Sequence, residues 1–504
     1  MTRLDAITGA SLPGGPADLI LLGGQVVRAA APGSVGLNAS IESLGVRTSG
    51  PGAPVGGTEA RAAAPGRVGP NVPTESNGAR AAAPGDDTGR RAPVGGVNAR
   101  AVAPGRTTGP DAPVGDVAGV DDRASASIGN TISASRVFDA AGRVVLPAFV
   151  DAHVHLDKAY LLEPIANELA AEGAKLTADL GDAIATVARL RPRLGPEVVA
   201  AGAQRAVDTL VRNGTVAARA MVEIDPAVGL GLMDLHADLA ARNAGRIGLQ
   251  LVAFPQRGLE LDGMRELMKG AMAAGADVVG GCPYVDDDPG AHLDFVFDLA
   301  EAYGAPVDLH LDFSDDPEAS LIDLVAERTR AAGMQGRVAI GHVTTLAAMA
   351  PDRADRAFAA MAEAGIALAV MPATDVYLTG HPREASGWHA TRPVAPLLRA
   401  ARAGVTVAIT NNNLCNPFAP YGNGSQLQAA WLAGLLFRAV AAADRATLID
   451  AITVNPAQIL GLPEHGPTPG ARADLVVLEA ANQDEALLQC SKVAAVVRAG
   501  VRIE

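Results

Sequence analysis

The chain has 504 residues, of which 49% are hydrophobic and 3% aromatic, and a formal net charge of −14 at pH 7. This length suffices for one large α/β domain with an accessory domain, or for two to three smaller domains. The acidic balance argues against nucleic acid or an anionic membrane surface as a partner.

No apolar run reaches the roughly 18 residues of a membrane span, and the first residues, Met-Thr-Arg-Leu-Asp, lack the pattern of a signal peptide. The three cysteines, Cys282, Cys415 and Cys490, form no Cys-x-x-Cys pair. They predict no disulfide framework and are best explained as buried apolar residues. We therefore expect a cytoplasmic protein.

The N-terminal part begins with β pattern and then changes composition. Residues 18–27 predict two short strands joined at Gly23-Gly24. Related Arg-Ala-x-Ala-Pro-Gly repeats follow at 28–33, 61–66, 80–85 and 100–105. A regular spacing could indicate a solenoid, but these repeats lack the large apolar residues that bury a face. We predict that residues 30–125 are a disordered, low-complexity insertion.

Beyond the insertion, β-like apolar runs alternate with helical patterns such as Pro196–Val211 and Leu261–Ala274; proline suits the first turn of a helix. The eight apolar runs are 145–155, 214–224, 246–254, 276–281, 306–312, 337–342, 366–371 and 405–411. Eight β-then-α units predict an α/β fold, a (β/α)8 TIM barrel. A doubly wound sheet would require a phosphate-binding glycine loop after an early strand, and none is found.

The remaining β patterns lie near both ends of the chain, at 18–27, 134–145, 473–478 and 494–503. We expect them to form one small β-sandwich from the two termini. The predicted boundaries assign 146–460 to the barrel, and the sandwich receives 1–29, 126–145 and 461–504.

Four of the nine histidines fall at the ends of predicted barrel strands, where the active sites of such barrels lie. His153 and His155 end the first run, His310 lies in the fifth and His342 ends the sixth. Alternate strand residues share a face, which places His153 and His155 about 7 Å apart along the chain. An isolated His-x-His is ordinary at a strand end, but histidines from three strands predict a divalent-metal site. The other five, for which packed or solvated roles are the default, are His236, His292, His381, His389 and His465.

Several motifs agree in order and spacing with one known family. They are Pro147-Ala-Phe-Val-Asp-Ala-His-Val-His-Leu-Asp157, Ala253-Phe-Pro-Gln-Arg-Gly258, Gly341-His-Val-Thr-Thr345 and Asn416-Pro-Phe-Ala-Pro-Tyr-Gly422. From about residue 134 to the C-terminus, with 18–27, the chain resembles the amidohydrolase superfamily. Within that superfamily it is similar to the branch of bacterial cytosine deaminase and isopropylammelide amidohydrolase.

The resemblance implies roles for single residues. His153, His155 and His310 would bind one divalent metal ion, Zn²⁺ or Fe²⁺, and His342 would be catalytic. Gln256 would bind the amide of the substrate.

Two further residues have open alternatives. Lys158 follows the histidine motif as in the isopropylammelide-type members, where it could reach a substrate carbonyl or carboxylate, or be solvated. Asp375 ends the seventh run and could contact substrate or cap a turn.

Two positions depart from the family pattern. Asn412 stands where the family has a metal-binding, proton-accepting aspartate; a carboxamide can ligate through oxygen but cannot act as a base. Phe313 stands where cytosine deaminases have a proton-shuttling glutamate. Asp312 is even-spaced from His310 and is therefore a candidate substitute acid. Asp315 and Asp316 are better explained by the helix N-terminus that follows them.

These features predict a metal-dependent hydrolase that cleaves non-peptide C–N bonds in a small heterocycle, a cyclic amide or amidine such as a pyrimidine or triazine. Neither nucleic acid nor a membrane is an expected partner, and a homo-oligomer is possible. The alternative is a barrel that has lost catalysis and binds a ligand or regulates, which Asn412 and Phe313 favour. The four strand-end histidines favour the hydrolase.

Overall fold

The computed structural model describes residues 2–30 apart from 14 and 23, and then residues 136–380 and 392–503. The predicted insertion at 30–125 lies, except for residue 30, outside the described residues, so its disorder stays a prediction. His381 and His389 also lie outside the described residues.

The described residues form strands of two sheets and the helices that connect them. The strands are β1 (Thr2–Arg3), β2 (Ala6–Leu12), β3 (Gly15–Leu22), β4 (Gln25–Ala30), β5 (Val137–Asp139), β6 (Val144–Pro147), β7 (Phe149–Val154), β8 (Thr215–Glu223), β9 (Gly248–Phe254), β10 (Val278–Gly281), β11 (Val307–Leu311), β12 (Val338–His342), β13 (Ile366–Val370), β14 (Val407–Ile409), β15 (Leu475–Leu478), β16 (Val493–Arg498) and β17 (Val501–Arg502).

The α-helices cover the barrel and link its strands. They are α1 (Leu162–Ala171), α2 (Leu180–Leu190), α3 (Pro196–Arg212), α4 (Gly231–Asn243), α5 (Met264–Ala273), α6 (Pro289–Tyr303), α7 (Ile322–Ala331), α8 (Thr345–Ala348), α9 (Pro351–Glu363), α10 (Pro372–Leu378), α11 (Leu397–Arg402), α12 (Gln426–Leu436), α13 (Ala442–Asp450), α14 (Val454–Ile459) and α15 (Gln483–Gln489). Short 3-10 turns lie at Arg191–Arg193, Pro283–Val285 and Pro317–Ala319.

Strands β7 to β14 form an eight-stranded parallel sheet in sequential order. The eight predicted runs are therefore confirmed, as is the (β/α)8 barrel. The strands read as continuous apolar runs because both of their faces are covered; every residue of β8 is buried. The sheet closes where the chain of the last strand meets the first. There the His155 N–H donates to the Asn412 carbonyl at 2.7 Å, and the Asn412 N–H donates to the His153 carbonyl at 3.1 Å.

The strands from the two ends of the chain form a second sheet of nine strands, in the order β1-β17-β16-β15-β6-β2-β3-β4, with β5 paired to β2. This confirms that strands from both termini come together in one sheet separate from the barrel; the domain boundaries stay a prediction. Successive side chains along β6 and β15 point to opposite faces of the sheet, and each face packs against a different core. Val145 and Val477 lie in the accessory core, whereas Leu146 and Val476 lie in the core of the barrel.

The sequence did not indicate strands β1 and β2. The β2 segment, Ala-Ile-Thr-Gly-Ala-Ser-Leu, has few large apolar residues and an internal glycine, which weakens the alternating pattern of a strand. Tertiary pairing with three neighbours compensates, because β2 contacts β3, β5 and β6.

The predicted helices are confirmed with small changes at their ends. The first begins at Pro196 as expected and ends at Arg212, and the second runs Met264–Ala273. None of the helices in the part of the chain that the structure describes has the length and apolar character needed to cross a membrane.

Replacing Leu475 by alanine is expected to destabilise the accessory sheet by about 2–5 kcal/mol, because this side chain is fully buried in its core. Urea unfolding measures the change. The matched control is Leu488→Ala, at a leucine that is 59% exposed, where we expect a change within about 0.5 kcal/mol. Equal effects of the two substitutions would contradict the assignment of this core.

Candidate active site

Side chains from four neighbouring regions meet at the end of the barrel where the strands finish. His153 lies in β7 with His155 just beyond it, His310 lies in β11, His342 ends β12, and Asn412 follows β14. All five are at most 5% exposed. The four strand-end histidines are thus brought together as the sequence predicts.

Three of these imidazoles point their Nε2 atoms at one place. The Nε2 of His310 lies 3.1 Å from that of His153 and 3.0 Å from that of His155. Nitrogens bound to one metal at about 2.0–2.1 Å in tetrahedral geometry lie about 3.3 Å apart. The observed separations are close to that value, so the arrangement fits a shared ion.

The protonation state of the three histidines also fits a metal. Burial lowers the pKa of His155 to about 3 and that of His310 well below its usual range. Burial lowers the pKa of His153 as well, although Asp308 opposes the change. All three are therefore neutral near pH 7. Neutral imidazoles offer lone pairs to a metal, whereas lone pairs that face each other without a cation are unfavourable.

Asn412 adds a further observation. Its side-chain Oδ1 is buried without a hydrogen-bond partner among the described residues, and its Nδ2 lies 3.5 Å from the Nε2 of His342. A buried polar atom without a partner needs an explanation. A cation held by the neighbouring histidines would supply one, because a carboxamide oxygen can ligate a metal.

His342 is held from behind by a carboxylate. Its Nδ1 donates to Asp375 Oδ1 at 2.7 Å, so its Nε2 is directed to the site. Asp375 is fully buried and its other oxygen accepts from the Met371 N–H at 3.4 Å. It does not line the cavity. The structure therefore places the predicted substrate contact Asp375 behind His342 instead.

A small cavity that is partly open to solvent lies above the histidines. Its walls combine polar groups with apolar rings and chains: His155, Lys158, Leu180, Gln256, Tyr284, His310, Phe313, His342, Thr374, Leu378, Asn412, Asn413 and Phe418. No carboxylate belongs to this lining within the described ranges.

Lys158 and Gln256 form one wall of the cavity. The Lys158 ammonium donates to Gln256 Oε1 at 3.0 Å and to Glu223 Oε2 at 3.1 Å, and it lies 4.9 Å from the centre of the Phe418 ring. Because the Gln256 oxygen is already engaged, the amide NH2 is the group that Gln256 can present to a ligand. Lys158 is 1% exposed, which rules out the solvated alternative.

Sequence reasoning missed the buried charged groups around the site, both behind Lys158 and behind His153. Glu223 also accepts from Arg191 at 2.8 Å, and Asp308 bridges His153 and Arg219. Arg219, Glu223 and Asp308 are single charges inside apolar strand runs. A charged residue is rarely buried without a partner, so this placement is the signal that could have identified them.

The sequence of the chain matches one known protein family. The profile of the amidohydrolase family matches residues 167–503. The chain belongs to this family. This confirms the predicted resemblance and, at the level of the family, a hydrolase that acts on C–N bonds other than peptide bonds.

Three individual relatives each share 30% or less sequence identity with this chain. A pterin deaminase of Rhizobium rhizogenes is 28% identical over 366 residues, 72% of this chain and 80% of that protein. The uncharacterized protein YahJ of Escherichia coli is 30% identical over 308 residues, 60% of this chain; the match spans 61% of YahJ. The solved 5-methylcytosine deaminase of Klebsiella pneumoniae shares the fold, with a TM-score of 0.72 and 23% identity, over 99% of this chain and 98% of that one.

Phe313 and Asn412, for which the sequence predicts departures from the family pattern, both line the cavity. Phe313 lines the cavity, and its ring meets the edge of His342 with centroids 4.5 Å apart. Asp312 does not line it. Both oxygens of Asp312 accept from the Leu321 N–H, at 2.9 and 3.2 Å, and Oδ2 also accepts from the Thr345 hydroxyl at 3.2 Å. The structure therefore gives Asp312 a local role at the start of α7 and brings it to no ligand.

The other described histidines have ordinary packing contacts. His236 lies 2.7 Å from the Leu232 carbonyl, His292 accepts from the Cys282 N–H at 3.1 Å, and His465 lies 3.2 Å from the Ala148 carbonyl. None of the three lines the cavity.

Replacing His310 by alanine is expected to abolish stoichiometric binding of a divalent metal, because it removes the nitrogen that lies between the other two. The loss should exceed the roughly 10–100-fold that supporting residues around a metal site cost. Metal analysis and chelator competition measure it. His465→Gln, at another buried histidine, is the control and should retain the metal; equal metal content in both variants would refute the site.

Replacing Asn412 by aspartate is expected to tighten metal binding by about tenfold or more, because a carboxylate adds a charge–charge attraction of a few kcal/mol at short range. Chelator competition with purified protein measures the affinity. Asn482→Asp, at an exposed helix N-cap whose side-chain oxygen accepts from the Glu485 N–H and whose role an aspartate can fill, is the control. An unchanged affinity in Asn412→Asp would show that this side chain does not contact the ion.

Proposed function

We propose that this amidohydrolase binds one divalent metal ion, Zn²⁺ or Fe²⁺, and hydrolyses a C–N bond in a small nitrogen heterocycle. The substrate would be a cyclic amide or amidine, such as a pyrimidine, a triazine or a related ring. The reaction would release ammonia or an amine, or open the ring. One observation carries the proposal: three neutral, buried Nε2 atoms converge beside a fourth histidine at the mouth of the barrel.

His153, His155 and His310 would hold the ion, with Asn412 Oδ1 as an uncharged further ligand. A divalent metal bound there acidifies water and polarises the substrate carbonyl or amidine carbon. Because all four donors are neutral, the positive charge of the ion stays largely uncompensated by its ligands.

His342 would move the protons of the reaction. Asp375 fixes the Nδ1–H, so Nε2 is free to accept a proton from the attacking water. The same nitrogen can then give that proton to the departing nitrogen. Asn412 cannot accept a proton, and Asp312 is turned away. His342 is therefore the group in the described site that is equipped for both steps.

Gln256 and Lys158 would orient the ring. The Gln256 NH2 and the Lys158 ammonium are hydrogen-bond donors, so this wall favours a substrate edge that carries a carbonyl oxygen or an unprotonated ring nitrogen. Phe313 and Phe418 line other parts of the cavity and supply flat apolar surface for a ring.

The side chain at position 313 argues against cytosine as a substrate. A cytosine deaminase needs an acid that delivers protons to the ring and the leaving ammonia, and Phe313 stands in that place. We therefore expect cytosine turnover to be weak or absent.

A second function is favoured by the same two positions. A barrel that retains the ligand cavity but has Asn412 and Phe313 in place of the family acids could serve as a ligand-binding or regulatory protein. Metal content separates the alternatives: a stoichiometric divalent ion supports the hydrolase, and clean apo-protein supports the binder.

The test of the proposed function is a screen of pyrimidines, pterins, triazines, hydantoins and related cyclic amides for released ammonia or amine, with Zn²⁺ or Fe²⁺ added. With a substrate found, His342→Gln should lower kcat by about 10²–10⁴-fold while metal content stays unchanged, because His342 is not one of the three converging ligands. His465→Gln is the matched control. Full activity of His342→Gln would refute the proton-transfer role, and a cytosine kcat/KM of about 10⁴ M⁻¹s⁻¹ or more would refute the expectation for cytosine.

A further inference from the structure

We propose that Arg219, a buried arginine inside the barrel, is a positioning residue for the metal site. It forms an ion pair with Asp308, and Asp308 in turn fixes the orientation of the His153 imidazole. Arg219 lines no part of the cavity above the histidines. Its effect would therefore pass through Asp308 and not through substrate.

The three side chains form a continuous chain of hydrogen bonds. His153 Nδ1 lies 3.2 Å from Asp308 Oδ1, and Arg219 Nη1 donates to Asp308 Oδ2 at 2.8 Å. The two carboxylate oxygens thus face two different partners, and the carboxylate cannot rotate without breaking one contact. All three side chains are at most 1% exposed, so water does not substitute for either partner.

Arg219 is itself fixed at three points. Its Nε donates to Gln250 Oε1 at 2.9 Å and its Nη2 donates to the Ile459 carbonyl at 2.9 Å. These partners come from β9 and α14, while Asp308 lies on β11. A planar guanidinium satisfies three acceptors in fixed directions, which an ammonium on a flexible chain cannot reproduce.

The consequence for the metal site is a fixed tautomer. With Nδ1–H directed at Asp308, the lone pair of His153 is on Nε2, which faces His310 at 3.1 Å. The other two ligands have weaker support: His155 Nδ1 lies 3.4 Å from Asp157 Oδ1, a longer contact without hydrogen-bond geometry, and His310 Nδ1 has no hydrogen-bond partner among the described residues. His153 is therefore the ligand whose orientation the protein specifies most strongly.

The alternative explanation for the effect of Arg219 on metal binding is purely electrostatic. A guanidinium near a metal site repels the incoming cation, so removal of Arg219 would then tighten metal binding. The geometry favours positioning, because Arg219 already shares an ion pair with Asp308 and the two charges oppose each other at the ion. The two readings predict opposite signs for one measurement.

The experiment measures Zn²⁺ affinity by chelator competition in Asp308→Asn, in Arg219→Met and in the double variant, all purified as full chains. Asp308→Asn and Arg219→Met should each weaken Zn²⁺ binding by about 10–100-fold. The double variant should be no weaker than Asp308→Asn alone, because Arg219 would act only through that carboxylate. Arg219→Lys keeps a cation and serves as a second variant should Arg219→Met not fold; it should show a smaller loss.

The matched control is a buried carboxylate with an arginine partner, remote from the metal. Asp474, just before β15, is fully buried and accepts from the half-buried Arg472 Nε at 2.7 Å. Asp474→Asn should lower the thermal midpoint without changing Zn²⁺ affinity, which separates loss of stability from loss of positioning.

An unchanged or tighter affinity in Arg219→Met, or in Arg219→Lys where that is the variant measured, overturns this inference, as does a double variant in which the losses add. The inference rests on the proposed metal site. The two failures are distinguishable. If the unaltered protein binds no Zn²⁺, the proposed metal site is refuted. If the unaltered protein binds Zn²⁺ and the Arg219 variants bind it with the same affinity, only the role of Arg219 is refuted.

Discussion

Closure of the barrel is the constraint on which the site depends. The first and last strands are joined by the backbone groups of His153, His155 and Asn412, two hydrogen bonds in all. The residues that close the sheet are also the residues that face the candidate ion. Any slip of one residue in this register would turn the side chains to the opposite face. The closure of the barrel and the placement of these residues at the site therefore depend on the same two contacts.

Around this closure the protein buries several charged side chains. Lys158 and Arg191 face Asp157 and Glu223 on one side of the site, and Arg219 faces Asp308 on the other. Burying an unpaired charge is costly, and Asp157 and Glu223 share two cations while Asp308 pairs with one. Because the cations neutralise these carboxylates, little negative charge remains to stabilise a bound metal ion. The missing charge at Asn412 therefore matters more for metal binding than it would beside unpaired carboxylates.

The sequence was sufficient for the barrel, the accessory domain and the convergence of four histidines, because each follows from a local pattern repeated along the chain. Continuous apolar runs identified the eight barrel strands, and their ends located His310 and His342. Partner relations could not be predicted in this way. That Asp375 supports His342, and that Asp312 turns to the Leu321 N–H, depends on backbone direction at the strand ends. Both His342 and Asp312 have positive φ there, 69° and 50°, and strand alternation does not extend to such residues.

The accessory sheet has a consequence for the order of folding. Strand β1 pairs with β17, and β6 pairs with β15, so strands that precede the barrel in the chain pair with strands that follow it. Chain synthesis proceeds from the N-terminus, and the barrel segments all emerge before β15 to β17 do. Strands β1 and β6 therefore lack these partners while the whole barrel is being made. An unpaired strand edge can pair with another chain, so these two edges are exposed to mispairing for as long as the barrel takes to emerge.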